Sequence, residues 1–274
     1  MKSRFDALLT TLRVIGIGIV FVLVSSASAE VISIENPNKG FLNNDPTLTF
    51  YWQGSNSKGL IFLLPGGNGM INLSPEMTDL KFHFFQTLKK LTDKTQTSGV
   101  YDVVIMDSPY SLQVKSDGFA GPRTTKDHLI RIESVINYYR DKTKLPVILM
   151  GHSNGTISIR EFLYYTKKYN KLNLVNGLIL SGSRNEIEFE SPINTPIIFL
   201  HNKQDGCINT AYSHAQSSYD KISKINKSRT SFITIESGSP QDNPCTSGYH
   251  MMFNAGEEVA KKLDKELGRI QLDN

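Results

Sequence analysis

The chain has 274 residues, of which 39% are hydrophobic and 20% charged, with a formal net charge of +4. That length suits one good-sized α/β domain with a large core. No basic block interrupts the near balance of charge, which argues against a nucleic-acid partner and selects neither an acidic nor a basic substrate.

Lys2, Arg4 and Arg13 precede an apolar run at 14–24, and the small residues Ser25, Ser26, Ala27, Ser28 and Ala29 follow it. Basic, apolar and small segments in that order are the pattern of a cleavable signal, here 1–29, with the cut expected after Ala29. As a helix the apolar run spans about 16 Å, roughly half the hydrocarbon thickness of a bilayer. The expectation is therefore export to the periplasm or beyond, with no stable membrane insertion after cleavage and a single domain at 30–274. Gly16 to Val20, "GIGIV", imitates the start of a dinucleotide fingerprint, but no strand precedes it.

From there apolar runs alternate with amphipathic stretches. Strands are predicted at 48–53, 60–64, 103–106, 147–150, 178–180, 197–200 and 232–235. Helices are predicted at 80–91, 125–140, 156–169, 212–225 and 257–267. In the helix at 125–140, Leu129, Ile132, Val135, Ile136 and Tyr139 share one face. The alternation is that of an α/β fold with a mostly parallel central sheet flanked by helices. No repeat, low-complexity tract or interdomain linker interrupts it.

The informative stretch is "VILMGHSNGTISI", from Val147 to Ile159. An aliphatic strand stops at two glycines around one serine, and helical spacing resumes at once. A strand that turns sharply into a helix needs small residues on both sides, here Gly151 and Gly155. It presents the residue at the tip, Ser153, above the C-terminal edge of the sheet, where open α/β folds bind ligands. A serine that merely caps a helix is the plain alternative.

Gly151-His152-Ser153-Asn154-Gly155, in this strand–turn–helix context, resembles the nucleophile turn of the α/β-hydrolase family, and the resemblance covers nearly the whole chain after residue 29. The family order is nucleophile, acid, histidine. By that order Asp205, after the strand at 197–200, is the acid, and His250, before the last helix, is the base. A serine hydroxyl needs such a base, and the base a carboxylate to set its tautomer. Asp205-Gly206 also reads as a turn pair, and Asp242 is a rival acid on the histidine's own loop. His83, His128, His152, His201 and His214 do not fit the order; His152 is expected to line the site or pack, and His201 to pack beside the acid loop.

Two cysteines, Cys207 and Cys245, form an even set in the exported part, which suggests a disulfide. A bridge there would tie the loop of Asp205 to the loop of His250. A zinc site built from His201, Asp205, Cys207, Cys245 and His250 matches no common ligand spacing.

The resemblance also implies an oxyanion hole. One donor is the N–H of Asn154, after the nucleophile, and the other comes from the loop Pro65-Gly66-Gly67-Asn68-Gly69. Gly67 is the expected second donor, with Asn68 next, and Pro65 stands where the family carries histidine. The resemblance thus implies an exported serine hydrolase that acts on a carboxylic ester, without metal or organic cofactor. Thioesters, amides and acyl transfer to an alcohol use the same machinery. A non-catalytic binding or surface protein that kept the fold is the rival reading. Residues 181–196 leave room for little or no lid, so the site is expected to be open to small or polymeric acyl substrates, with Tyr110, Leu112, Phe119 and Phe189 as candidate lining or, equally, core. Oligomeric state is not readable.

Overall fold

A computed structural model describes residues 28–40, 44–113, 121–185, 187–189, 193–226 and 230–270. The expected signal at 1–29 therefore lies almost wholly outside the described residues, as does Phe119.

Eight strands form one sheet: β1 (Ala29–Ile34), β2 (Thr47–Trp52), β3 (Gly59–Leu64), β4 (Tyr101–Met106), β5 (Val147–His152), β6 (Gly177–Ser181), β7 (Ile197–Asn202) and β8 (Thr230–Ile235). Their order is β1-β2-β4-β3-β5-β6-β7-β8. From β3 to β8 all pairing is parallel, while β1 and β2 add an antiparallel edge. Every residue of β3, β4 and β5 is buried, which explains why these strands read as unbroken apolar runs instead of alternating ones.

Successive side chains of β3 leave on opposite faces and found two cores. Leu60, Phe62 and Leu64 join the core covered by α3 (Lys126–Thr143), α4 (Gly155–Lys168) and α5 (Tyr212–Ile225). Ile61 and Leu63 join the opposite core, covered by α1 (His83–Lys89) and α6 (Gly256–Leu267). A further short helix, α2 (Tyr110–Gln113), follows β4. The α3 helix starts where Thr125 accepts a hydrogen bond from the backbone N–H of His128 at 3.3 Å, and it carries Asp127 in its first turn.

The predicted strands and helices all appear, most of them one or two residues longer. The first helix begins three residues late, at His83, and continues past Lys89 as a single tight turn, Lys90–Thr92. The edge strand β1 is absent from the predicted elements. It is half exposed, so no buried run marks it, and it directly follows the apolar signal-like segment. A cut after Ala29 would remove only its first residue, leaving 30–34 paired with β2.

Chain direction across the sheet reverses around β3, whose neighbours are β4 on one side and β5 on the other. Such a switch point opens a crevice beyond the C-terminal ends of these strands. The connection from β6 to β7 spans only 182–196, too short for a lid domain.

Candidate active site

The turn after β5 explains its own glycines. A Cβ on Gly151 would stand 2.5 Å from the carbonyl oxygen of Gly155, and one on Gly155 would stand 2.0 Å from that of Leu64. Both approaches are below van der Waals contact, so β5, α4 and β3 meet this closely only through glycine. Between them Ser153 has φ of 54°, in the left-handed region that a non-glycine residue adopts at a cost. The turn is held by Ser153 N–H donating to Ser181 O at 2.9 Å and by Thr156 N–H donating to Ser153 O at 2.9 Å.

Asp205 and His250, 45 residues apart, meet directly: His250 Nδ1 is 2.8 Å from Asp205 Oδ2. The same oxygen takes the hydroxyl of Thr210 at 3.1 Å and lies 3.2 Å from His201 Nε2. Asp205 Oδ1 accepts the N–H of Cys207 at 2.9 Å. Burial alone would raise the Asp205 carboxyl, but the hydrogen bonds from His201 and His250 outweigh it and hold the group below the ordinary carboxylate range. An ionised Asp205 accepts only, so His250 Nδ1 carries a proton, and in the Nδ1–H tautomer the lone pair sits on Nε2. That Nε2 is buried and has no hydrogen-bond partner among the described residues.

His250 and Ser153 line one cavity of about 360 Å³. No hydrogen bond joins them in this structure. Gly182, with φ of 46°, lets the two imidazoles beside it approach: a Cβ there would be 3.1 Å from His152 and 3.2 Å from His250. The ring of His152 lies 4.9 Å from that of His250, and burial pushes its titration well below the ordinary histidine value.

The loop after β3 forms another wall. Gly66 comes so near Ser153 that a Cβ would stand 3.1 Å from the serine's own Cβ, and Gly67 has φ of 57°. Beneath this loop lies a fully buried guanidinium, Arg123. Its Nη2 donates to the carbonyls of Pro65 at 2.6 Å, Gly66 at 3.0 Å and Gly67 at 3.0 Å, and its Nη1 donates to Ser158 Oγ at 3.0 Å. In a trans peptide the carbonyl of one residue and the N–H of the next point opposite ways. Carbonyls of Gly66 and Gly67 drawn toward Arg123 therefore turn the N–H groups of Gly67 and Asn68 away from it. Asn154 fastens the arrangement from the other side, donating from Nδ2 to Gly67 O at 3.1 Å and accepting Arg184 Nη1 on Oδ1 at 3.0 Å. Among the described residues neither Asn154 N–H nor Gly67 N–H is used in a hydrogen bond.

Cys207 and Cys245 form a disulfide that links the acid loop to the histidine loop across 38 residues of sequence. Cys245 and Thr246 also border the cavity. Of the candidates for lining or core, Leu112 and Phe189 are core and Tyr110 is neither. Tyr110 is 70% exposed, Leu112 is buried, and Phe189 packs in the core on the α3–α4–α5 side; none of them borders the cavity. Its apolar wall is instead Ile71, Phe82, Phe84, Phe85 and Met251. Those phenylalanines begin a helix whose pattern shows only that one side is buried, not that the buried side ends at a cavity. Sequence reading also misses Arg123 and Thr210. An arginine whose partner carbonyls lie 56–58 positions away leaves no local pattern, and a threonine among turn residues leaves none either. His201, expected to pack beside the acid loop, touches the acid itself. Asp242 is exposed, while Asp205 is the carboxylate that meets His250.

No family model matches this sequence, and no curated protein matches it. Solved structures do match in fold. An α/β serine hydrolase without a lid from Xanthomonas campestris aligns with a TM-score of 0.59 at 9% identity, covering 90% of this chain and 97% of that one. A dienelactone hydrolase from Anabaena variabilis aligns with a TM-score of 0.57 at 10% identity, over 89% and 98%. A cold-adapted esterase from an Arctic intertidal metagenomic library aligns with a TM-score of 0.51 at 13% identity, over 90% and 95%. The chain thus has the α/β-hydrolase fold.

Proposed function

We propose that this protein is a serine hydrolase that cleaves a carboxylic ester through an acyl-enzyme on Ser153. The observation that carries the reading is the state of His250. Its Nδ1 is committed to Asp205, its Nε2 is buried without a partner, and its ring borders the cavity that Ser153 borders.

In this reading Ser153 Oγ attacks the acyl carbon while His250 Nε2 takes the hydroxyl proton. Asp205 steadies the imidazolium so formed. The N–H groups of Asn154 and Gly67 receive the oxyanion, each such donor contributing about 3–4 kcal/mol. Asn154 precedes the first turn of α4, where the helix dipole also favours negative charge. His250 then returns its proton to the leaving alcohol, and water repeats the sequence to free the acid and restore Ser153.

A fluorophosphonate probe should label the wild-type chain on Ser153 and leave a Ser153→Ala variant unlabelled, with ester turnover falling by about three orders of magnitude or more. An intact wild-type protein that resists the probe and leaves short-chain p-nitrophenyl esters uncut would overturn the reading.

Export is part of the proposal, supported by the disulfide, which persists in oxidising compartments. Among the described residues no helix is long and apolar enough to cross a membrane. Sequencing of the mature amino terminus should begin at Glu30; a mature protein that retains 1–29 would refute the cleavage.

A further inference from the structure

The cavity beside Ser153 has a definite chemistry. Among the described residues that border it none is Asp, Glu, Lys or Arg, and its only titratable rings are the imidazoles of His152 and His250. Away from the serine the wall is aromatic and aliphatic. Phe84 packs its ring 4.4 Å from His152, and Phe82 crosses the edge of Phe85 at 5.4 Å. Phe82 is 39% exposed and stands at the rim, while Phe84 and Phe85 are buried.

The walls are braced from outside the cavity. Asp107, at the end of β4, accepts the backbone N–H of Ile71 at 2.8 Å and of Leu73 at 2.7 Å. The disulfide anchors the opposite border at Cys245. A pocket held in this way is preformed, and its volume limits what enters. At about 360 Å³ the cavity lies at the small end of the range for small-molecule pockets.

Resting on the hydrolase reading, we propose that this cavity selects neutral, apolar acyl groups of medium length, about the size of an octanoyl or phenylpropanoyl chain. A charged acyl tail would enter a wall with no ionic partner, and leaving a charge poorly solvated is costly. A much longer chain would outgrow the braced volume.

The test is a p-nitrophenyl ester series on wild-type protein. From acetate to octanoate kcat/KM should rise by about tenfold or more, each methylene that finds apolar contact contributing up to about fourfold. It should fall again by palmitate. The mono-p-nitrophenyl ester of suberic acid, equal in length to octanoate but ending in a carboxylate, should be cut about a hundredfold more slowly than octanoate. Phe82→Ala, at the rim, should move the optimum to longer chains, and Ile71→Trp should move it to shorter ones. Acetate as the best substrate, equal rates for the octanoate and suberate esters, or an optimum that neither variant moves would overturn the proposal.

Binding to Ser153→Ala protein, read by calorimetry with methyl octanoate and monomethyl suberate, makes the same comparison without turnover. About a tenfold preference for methyl octanoate is expected, and equal affinity would overturn the assignment. A protein labelled on Ser153 but preferring acetate loses the cavity assignment alone. One that resists labelling yet prefers methyl octanoate keeps the cavity assignment and loses the hydrolase reading.

Discussion

Arg123 illustrates how much one side chain can organise. Its guanidinium has no carboxylate within ion-pair distance among the described residues, and burial lowers its titration to about 9. Three loop carbonyls and a serine hydroxyl replace the missing anion. In the hydrolase reading those same carbonyls orient the N–H of Gly67, so losing the guanidinium costs the oxyanion a donor. Arg123→Met should lower kcat by about a hundredfold, the loss of one donor, and Arg123→Lys should restore part of it with KM little changed. A Met variant that keeps wild-type kcat while losing stability would make Arg123 purely structural. In that reading Asp205 acts through His250 in the same indirect way. Asp205→Asn replaces an acceptor with a group that can impose the wrong tautomer, and kcat should drop by about four orders of magnitude; retention of a tenth of the activity would remove Asp205 from its role.

Elements meet at this site by way of loops, and the loops need fastening. Asp205 follows β7 and His250 precedes α6, and the bridge from Cys207 to Cys245 joins the two segments. Closing a loop of 38 residues in the unfolded chain contributes about 4 kcal/mol on the chain-entropy account. Cys207→Ser with Cys245→Ser should lower Tm by several degrees and kcat along with it, since the Asp205–His250 contact loses its brace. An unchanged Tm with dithiothreitol would count against a stabilising bridge. The β5–α4 turn is fastened by absence of side chain instead. Gly155→Ala places a Cβ 2.0 Å from Leu64 O, and the resulting backbone shift should cost about 1–3 kcal/mol, seen as a lower urea midpoint.

For the molecule as a whole, the buried imidazoles set the response to acid. Burial pushes His128 down to about 3, with Arg123 and Arg131 nearby adding to the effect, and holds His152 well below its ordinary value. When unfolded, both take up a proton near pH 6.5, which the folded state resists. Below about pH 6.5 the unfolded state therefore binds more protons, and stability falls with pH by about 1.4 kcal/mol per unit for each group. Asp205, held low by His201 and His250 against its burial, adds stability that is complete above about pH 4 and is lost as the pH falls further. Urea unfolding at pH 7 and pH 5 should give a steep acid slope in the wild type. The slope should be smaller by about 1.4 kcal/mol per unit in His128→Gln. Equal slopes would show that His128 is not held neutral by the fold.

At this scale the line between sequence and structure is physical. Strands β3 to β7 are legible because a strand covered on both faces has to be apolar throughout, a covered helix has to be apolar on one side, and the edge strand β8 still shows Phe232, Ile233 and Ile235 together. The order of Ser153, Asp205 and His250 is legible because each follows a strand that can be read. The glycines at 151 and 155 announce a close turn because only glycine permits one. The edge strand β1 escapes because half-exposed residues leave no such constraint.

The tertiary structure alone decided the rest. It brought Asp205 within 2.8 Å of His250, placed Arg123 under carbonyls contributed by another loop, and turned Phe82, Phe84 and Phe85, in place of Tyr110, Leu112 and Phe189, toward the serine. Local patterns record whether a side chain is buried. Which partner it is buried against depends on how strands far apart in the chain pack together, and no local pattern contains that.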